Sequence, residues 1–253
     1  MTIGAVIIGL ITGFISAFFG IGGSSIDTPL LRIFLHVPQY VALGSPLPTA
    51  LLAIIIALSV YWKEHLVDKR ILKWSLLGGV PGIIFGSYLS GKFSGLALML
   101  FSALVLFFVG VNFIYKRFHS NQINKNYQEE KPVDAVYILL VAFVASSISG
   151  ILANGGGLLL IPAYVLLFRM KIKEAIATSL VTVSVMFIPA CIIHYQLGHI
   201  DLGISAAMAI GVVPMAYIGA RTNLETKSNI IQLLFGIMLV IFSVYFFISQ
   251  LSF

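Results

Sequence analysis

Two glycine-rich segments interrupt the most apolar parts of the sequence, Gly20–Ser25 (GIGGSS) and Asn154–Gly157 (NGGG). Each glycine disfavours a helix by about 1 kcal/mol relative to alanine, so both segments predict a helix break. A helix that starts after a break exposes free N–H groups and about half a positive charge. Such helix starts can bind a small anion without a charged side chain. The residues that would line this site are Gly22, Gly23, Ser24, Ser25, Asn154, Gly155, Gly156 and Gly157. A second interpretation stays open, in which the glycines only let helices cross closely.

Hydroxyl side chains occur on the helix predicted after each glycine segment. Ser45 and Thr49 are four residues apart, as are Thr178 and Thr182, so each pair shares a helix face. Ser179 lies beside the second pair. These hydroxyls are either neutral donors to a bound oxyanion or bond back to the preceding helical turn. Their recurrence after both glycine segments favours the binding interpretation.

Asp27 is the only acidic residue inside a strongly apolar stretch. A carboxylate within a membrane is costly and points to function. Three roles are open: a helix cap together with Thr28, an ion pair with Arg32, or the carrier of a coupling proton. His194, near the end of its predicted helix, is either an interfacial histidine or a proton relay.

The composition excludes most classes of protein. Of the 253 residues, 59% are hydrophobic and 9% are charged, and the mean hydropathy is +1.05. A soluble domain carries about 25% charged residues, and a disordered chain has low hydrophobicity. The net charge of +6 comes without a long basic run, so we expect no nucleic-acid partner. The remaining class is a polytopic membrane protein whose partner is the lipid bilayer.

Enzymatic and metal motifs are missing from the sequence. The single cysteine, Cys191, excludes an intramolecular disulfide and a multi-cysteine metal site. No Walker A sequence, HExxH motif or complete dinucleotide fingerprint occurs. We therefore expect no metal, no cofactor and no enzymatic activity.

The two halves of the chain are related by a constant offset of 133 residues. Matches of glycine, proline, aspartate and threonine in a single register are rarer by chance than matches of leucine or alanine. They pair Gly22 with Gly155, Pro29 with Pro162, Thr49 with Thr182, Asp68 with Asp201, Gly78 with Gly211, Pro81 with Pro214 and Gly86 with Gly219. The sequence therefore predicts an internal duplication, a common transporter architecture.

The distribution of Lys and Arg favours a particular topology. If each glycine segment turns the chain back as a hairpin, thirteen Lys/Arg fall on one side and two, Arg32 and Lys92, on the other. This bias places the hydrophilic linker in the cytoplasm and both termini outside. We thus expect an all-α polytopic membrane protein with two inverted repeats, each a glycine-broken hairpin followed by three transmembrane helices. The predicted segments are a first repeat at 1–115, a linker at 116–134 and a second repeat at 135–253.

Two further patterns concern the helices themselves. Asp68 and Asp201 stand where N-caps of the next helices are expected. Gly78, Gly82 and Gly86 recur every four residues, which is typical of close helix packing in membranes.

The sequence resembles the TauE/SafE family of membrane proteins, the sulfite exporter family, over nearly its whole length. The resemblance rests on FFGIGGSSIDTPLL (Phe18–Leu31), ILANGGGLLLIPAYV (Ile151–Val165), AIATSL (Ala175–Leu180) and its degenerate counterpart ALGSPL (Ala42–Leu47). One position departs from the pattern, because Pro46 stands where the second half has Ser179.

The resemblance implies a secondary transporter or permease for small anions, often sulfur-containing oxyanions or sulfonates. We expect alternating access at a midplane site between the hairpins, in the plasma membrane of a prokaryote, with protons as one candidate coupling ion. The alternatives are a passive channel for small solutes, a membrane anchor subunit or an intramembrane enzyme. The sequence leaves open the transported anion, the direction of transport and the oligomeric state.

Overall fold

The computed structural model describes residues 2–22, 24–119, 133–153 and 156–251, and the regular structure in these ranges is entirely helical. The first half contains α1 (Thr2–Phe19), α2 (Ser24–Leu35), α3 (Gln39–Gly44), α4 (Pro46–Tyr61), a 3-10 turn (Trp62–Glu64), α5 (Lys69–Ser90) and α6 (Gly95–His119). The second half contains α7 (Ala135–Ile151), α8 (Gly157–Leu166), α9 (Ile172–Gln196), α10 (Leu202–Glu225) and α11 (Ser228–Leu251). The all-helical class predicted from the sequence is confirmed.

Five helical stretches of the described chain are long and apolar enough to cross a membrane. They are Thr2–Phe19, Gln39–Glu64, Leu96–Tyr115, Ile172–Gln196 and Leu202–Glu225. The chain is therefore a multi-pass membrane protein. The helix α6 continues to His119, past the predicted start of the linker, and linker residues 120–132 lie outside the described residues.

The order of helices repeats at the offset of 133 residues, with one local difference. The helices α1, α2, α5 and α6 correspond to α7, α8, α10 and α11, and α3 with α4 corresponds to the single helix α9. Pro46 causes the difference, because proline lacks the N–H that a continuous helix needs and starts α4 instead. Ser179 at the matching position lets α9 continue.

Backbone conformation follows the same offset. Left-handed φ angles occur at three equivalent pairs: Gly20 (71°) and Ala153 (52°), His36 (51°) and Arg169 (56°), and His65 (52°) and Gly198 (72°). Residues other than glycine rarely adopt this conformation. Its recurrence at matching positions means that the two halves share their turns as well as their helices.

The first helix of each half packs against a helix of the other half. The helices α1 and α10 run parallel, with Gly211 against the Val6 carbonyl, and α5 and α7 run parallel, with Gly78 against the equivalent Leu139 carbonyl. A Cβ atom at either glycine would overlap that carbonyl, so the backbones touch directly. The glycine row that begins at Gly78 serves helix packing, as the sequence predicts.

Helices that are equivalent to each other pack in opposite directions. In the α6–α11 pair, Gly110 lies against Gly236 and Val240, and the rings of Phe113 and Phe235 are 4.9 Å apart. In the α4–α9 pair, the chain following each helix returns to the start of the other.

The loops that follow α4 and α9 are fixed by equivalent hydrogen bonds. The Asp68 N–H donates to the Thr178 hydroxyl (3.0 Å), and the Asp201 N–H donates to the Ser45 hydroxyl (2.9 Å). Each aspartate then caps the next helix, because Asp68 Oδ1 accepts from two N–H groups of α5 and Asp201 Oδ1 from two of α10. Both N-cap predictions are confirmed.

Candidate functional site

Both helix breaks lie where the glycine segments predict them. The helix α1 ends at Phe19 and α2 begins at Ser24, whose N–H donates to the Gly22 carbonyl at 3.0 Å. Gly22 has a φ of 82°, and Gly156, just before α8, has a φ of 108°. These left-handed conformations explain why the chain uses glycine at both turns.

Each break turns the chain back along the helix that precedes it. At the far end of the first hairpin, the Leu35 side chain lies against Gly4 at the start of α1. In the second hairpin, the rings of Tyr137 near the start of α7 and Phe168 just after α8 are 6.0 Å apart. The predicted hairpins are therefore present in both halves.

The two breaks meet inside the protein. A Cβ atom on Gly157, the first residue of α8, would lie 2.8 Å from the Ile21 carbonyl oxygen in the first break. The N-terminal ends of α2 and α8 are thus neighbours. Gly22 faces the rings and methyl groups of Phe187 on α9 and Ile54 on α4, so apolar side chains close the region around the first break.

The start of α2 carries polar atoms that have no partner. Ser24 is 0% exposed, and its hydroxyl neither donates nor accepts a hydrogen bond. Asp27 lies in the first turn of α2, is 1% exposed, and its Oδ1 atom has no hydrogen-bond partner. Its polar neighbour is the Thr12 side chain on α1. Arg32, the other charged residue of α2, donates from Nη1 to the Val37 carbonyl (3.3 Å).

The predicted hydroxyls after the two breaks divide into three groups. Thr49 donates to the Pro46 carbonyl (2.8 Å) and Thr182 to the Thr178 carbonyl (2.8 Å), so both bond back to the preceding turn. Ser179 is 0% exposed and its hydroxyl has no partner.

Ser45 and Thr178 form the third group. They accept the loop N–H groups of Asp201 and Asp68. The structure therefore brings Gly22, Ser24, Gly156 and Gly157 together, whereas Ser45 and Thr178 already have partners at the loops.

Several predicted residues are outside what the structure describes. Gly23, Asn154 and Gly155 lie outside the described residues, and Ser25 is described only as the second residue of α2.

His194, the second candidate for proton transfer, forms a polar cluster with His199 beside the last turn of α7. It is 1% exposed, and its Nδ1 atom is 3.1 Å from Nδ1 of His199. Its Nε2 atom is 3.3 Å from the Gly150 carbonyl oxygen near the end of α7. The ring of His199 stacks on Tyr40 at a centroid distance of 4.8 Å.

Sequence reasoning missed three of these polar neighbours. Tyr164 on α8 donates to the Thr182 hydroxyl (3.2 Å), and the sequence contains no local signal for that contact. His199 likewise meets Tyr40 only through the tertiary fold. Thr12 could have been found, because Thr12 is eight residues before Gly20 and Asp27 is seven residues after it, and a hairpin that turns at Gly20 brings such positions together.

The region combines two helix N-termini with one buried carboxyl group, that of Asp27. Two helix N-termini carry partial positive charge of about 0.5 each, and the apolar walls reduce screening by water. Among the described residues, no group of three or more His, Cys, Asp or Glu side chains could hold a metal ion. The arrangement can bind an anion through N–H and hydroxyl donors, with Asp27 as the nearby group that can exchange a proton.

The family model described as sulfite exporter TauE/SafE matches residues 5–246 of the chain. The chain belongs to the sulfite exporter TauE/SafE family. This family is one of membrane transporters, which agrees with the multi-pass architecture.

Several curated proteins match the TauE/SafE chain over nearly its full length. "Probable membrane transporter protein YunE" of Bacillus subtilis is 24% identical over 93% of each chain. A "Probable membrane transporter protein" of Xylella fastidiosa is 25% identical over 97% of this chain and 93% of its own. "Probable membrane transporter protein MJ0441" of Methanocaldococcus jannaschii is 24% identical over 92% of this chain and 91% of its own. No solved structure matches the chain.

Proposed function

We propose that this TauE/SafE protein is a secondary transporter of small anions, with sulfur-containing oxyanions or sulfonates as its substrates. The main support for the proposal is the contact between Gly157 and the Ile21 backbone, because it brings the starts of α2 and α8 together inside the protein. Substrate would bind to N–H groups of the two breaks and to the unpartnered hydroxyl of Ser24. Ser179, which also lacks a partner, is the next candidate donor. No enzymatic step is part of this function.

The proposed transport mechanism is alternating access between two inverted repeats, 1–115 and 135–253, joined by a cytoplasmic linker at 116–134. Antiparallel packing of equivalent helices supports the inversion, since repeats with opposite orientation in the membrane require it. The positive-inside bias supports external termini. Relatives from bacteria and an archaeon support the plasma membrane of a prokaryote as the location.

Protons are the proposed coupling ion, and Asp27 is the proposed carrier. A fixed negative charge next to a bound anion repels it, so binding the anion together with a proton on Asp27 removes this repulsion. The missing partner at Oδ1 supports this role over that of a satisfied helix cap.

Reconstitution into liposomes tests the function. We expect uptake of at least one member of a panel of sulfite, thiosulfate, sulfate and short sulfonates, and acceleration by an imposed pH gradient. Protein-free liposomes and the Gly157→Ala variant are the controls. Flux that does not depend on the imposed pH gradient would support a passive channel instead. Equal flux in protein-free liposomes would contradict transport by the protein.

A further inference from the structure

The buried histidine pair on the second half has no counterpart of the same chemistry on the first. At the offset of 133 residues, His194 corresponds to Tyr61 and His199 to Leu66. The Tyr61 hydroxyl lies 3.5 Å from the Ala17 carbonyl oxygen, and His194 Nε2 lies 3.3 Å from the equivalent Gly150 carbonyl oxygen. The two halves thus build the same contact with different residues, and only the second version contains imidazole rings, which can take up a proton as the pH falls.

The hydrogen bonds of the pair fix its protonation. Nε2 of His194 can bond the Gly150 carbonyl only as a donor, so in the neutral ring its Nδ1 is an acceptor. His199 must then donate from its own Nδ1 across the 3.1 Å separation. This arrangement requires at least one ring to be neutral, because two doubly protonated rings would oppose donor to donor.

The pair holds the loop 197–201 against α3. The backbone of His199 lies so close to Gly44 that a Cβ atom there would overlap it, and the His199 ring stacks on Tyr40. The Asp201 N–H completes the attachment through the Ser45 hydroxyl. The same loop joins α9 to α10, and the bond of His199 to His194 connects it to Gly150 near the end of α7.

We propose that His194 and His199 form a proton-binding latch that keeps the α9–α10 loop closed on α3 while at least one ring is neutral and releases it when both rings are protonated. This proposal depends on the proposed function in one respect, the side of the membrane on which the loop lies. The proposed topology puts this loop outside the cell. The equivalent positions of the first half, Tyr61 and Leu66, carry no imidazole ring.

The acid nearest to the pair along the chain is Asp201, two residues after His199. Tyr40 faces His199 from α3, and its hydroxyl donates to the Phe93 carbonyl (2.8 Å). The Asp201 carboxylate is engaged as the cap of α10. Tyr88 and Lys92, near the end of α5, are exposed.

Burial lowers the pKa of His199. If the pKa of a histidine is lower in the closed loop than in the open loop, the closed loop is favoured at pH values above the pKa of the open loop. This contribution is lost as the pH falls below that value. Acid therefore favours release of the loop.

Hydrogen–deuterium exchange of the purified protein tests the latch without any transport assay. Between about pH 7.5 and about pH 5, after correction for intrinsic exchange rates, we expect protection of residues 197–201 to fall about tenfold or more. The matched loop, residues 64–68, is the internal control and should keep its protection.

Substitutions that introduce the equivalent residues of the first half make the test more specific. The double variant His194→Tyr with His199→Leu installs residues that the equivalent contact already accommodates, and we expect it to lose the pH response. His65→Asn changes an exposed histidine of the control loop and should leave the response intact. Equal responses of the two loops, or an unchanged response in the double variant, would overturn the latch even if transport proceeds as proposed.

Discussion

The first hairpin, α1–α2, and the second, α7–α8, have equivalent turns but different residues after the break. Ser24 and Asp27 begin α2, whereas Gly157 and Leu160 occupy the same positions in α8. Ser24 and Asp27 are buried, and neither the Ser24 hydroxyl nor Asp27 Oδ1 has a hydrogen-bond partner. The second hairpin instead uses Gly157 to bring its backbone against the first.

This difference separates two kinds of feature. Glycine turns, capping aspartates and helix-packing glycines occur in both halves, because both halves must build the same scaffold. A buried carboxylate, by contrast, occurs once among the residues that the structure describes. Coupling one proton to transport needs one titratable group, and a second carboxylate near the first would add a desolvation cost and repulsion.

The largest expected effect concerns the orientation of the two halves. Lys63 and Gln196 are equivalent, exposed positions at the ends of α4 and α9. On a Cys191→Ser background, single cysteines at these positions should react with a membrane-impermeant thiol reagent from opposite faces of the membrane. Lys63→Cys should react from the cytoplasmic face and Gln196→Cys from the external face. Labelling of both from one face would contradict the inverted repeats.

Much of this scaffold could be predicted from the sequence because it depends on local chemistry. Consecutive glycines break helices wherever they occur, and an aspartate before an apolar helix caps it. The offset of 133 residues then extends each local prediction to the other half. The breaks at Gly20–Ser25 and Asn154–Gly157 and the caps Asp68 and Asp201 all follow from such rules.

The polar contacts between the halves could not be predicted in this way. Ser45 and Thr178 were expected to face an anion, yet each accepts an N–H from a loop more than a hundred residues away. A hydroxyl can serve either purpose, and only the fold decides which partner is near. The stacking of His199 on Tyr40 is equally a product of tertiary structure.

The next effect in size concerns the contact between the breaks. In Gly157→Ala, the new methyl group would lie 2.8 Å from the Ile21 carbonyl oxygen, so the breaks must move apart. Overpacking costs about 1–3 kcal/mol, and we expect the transport rate to fall about tenfold or more. Gly91→Ala is the control, because its methyl group would make an ordinary 3.4 Å contact with Leu197. Normal flux through a well-folded Gly157→Ala protein would contradict the proposed site.

A smaller and more selective effect is expected at Asp27, where the hairpins differ most. Asp27→Asn keeps the size and mimics the protonated carboxyl group. It should retain anion exchange but lose the acceleration by a pH gradient, as measured by proteoliposome flux. Asp68→Asn is the control, since asparagine also caps helices well, and its gradient dependence should survive. Gradient dependence in Asp27→Asn equal to that of the unaltered protein would leave a capping role as the better explanation.

The smallest effect is expected where the two halves agree most closely, at Ser45 and Thr178. Ser45→Ala and Thr178→Val each remove one acceptor and leave a loop N–H group without its partner. Each should therefore lower the free energy of unfolding by about 1–3 kcal/mol, and by similar amounts. Thermal unfolding of the purified variants measures this loss, and the substrate concentration dependence of flux separates stability from binding. If the hydroxyls only hold the loops, the apparent affinity for the anion stays unchanged in both variants. A weaker affinity with unchanged stability would instead make them ligands, and an effect confined to one variant would show that the matching bonds serve different purposes in the two halves.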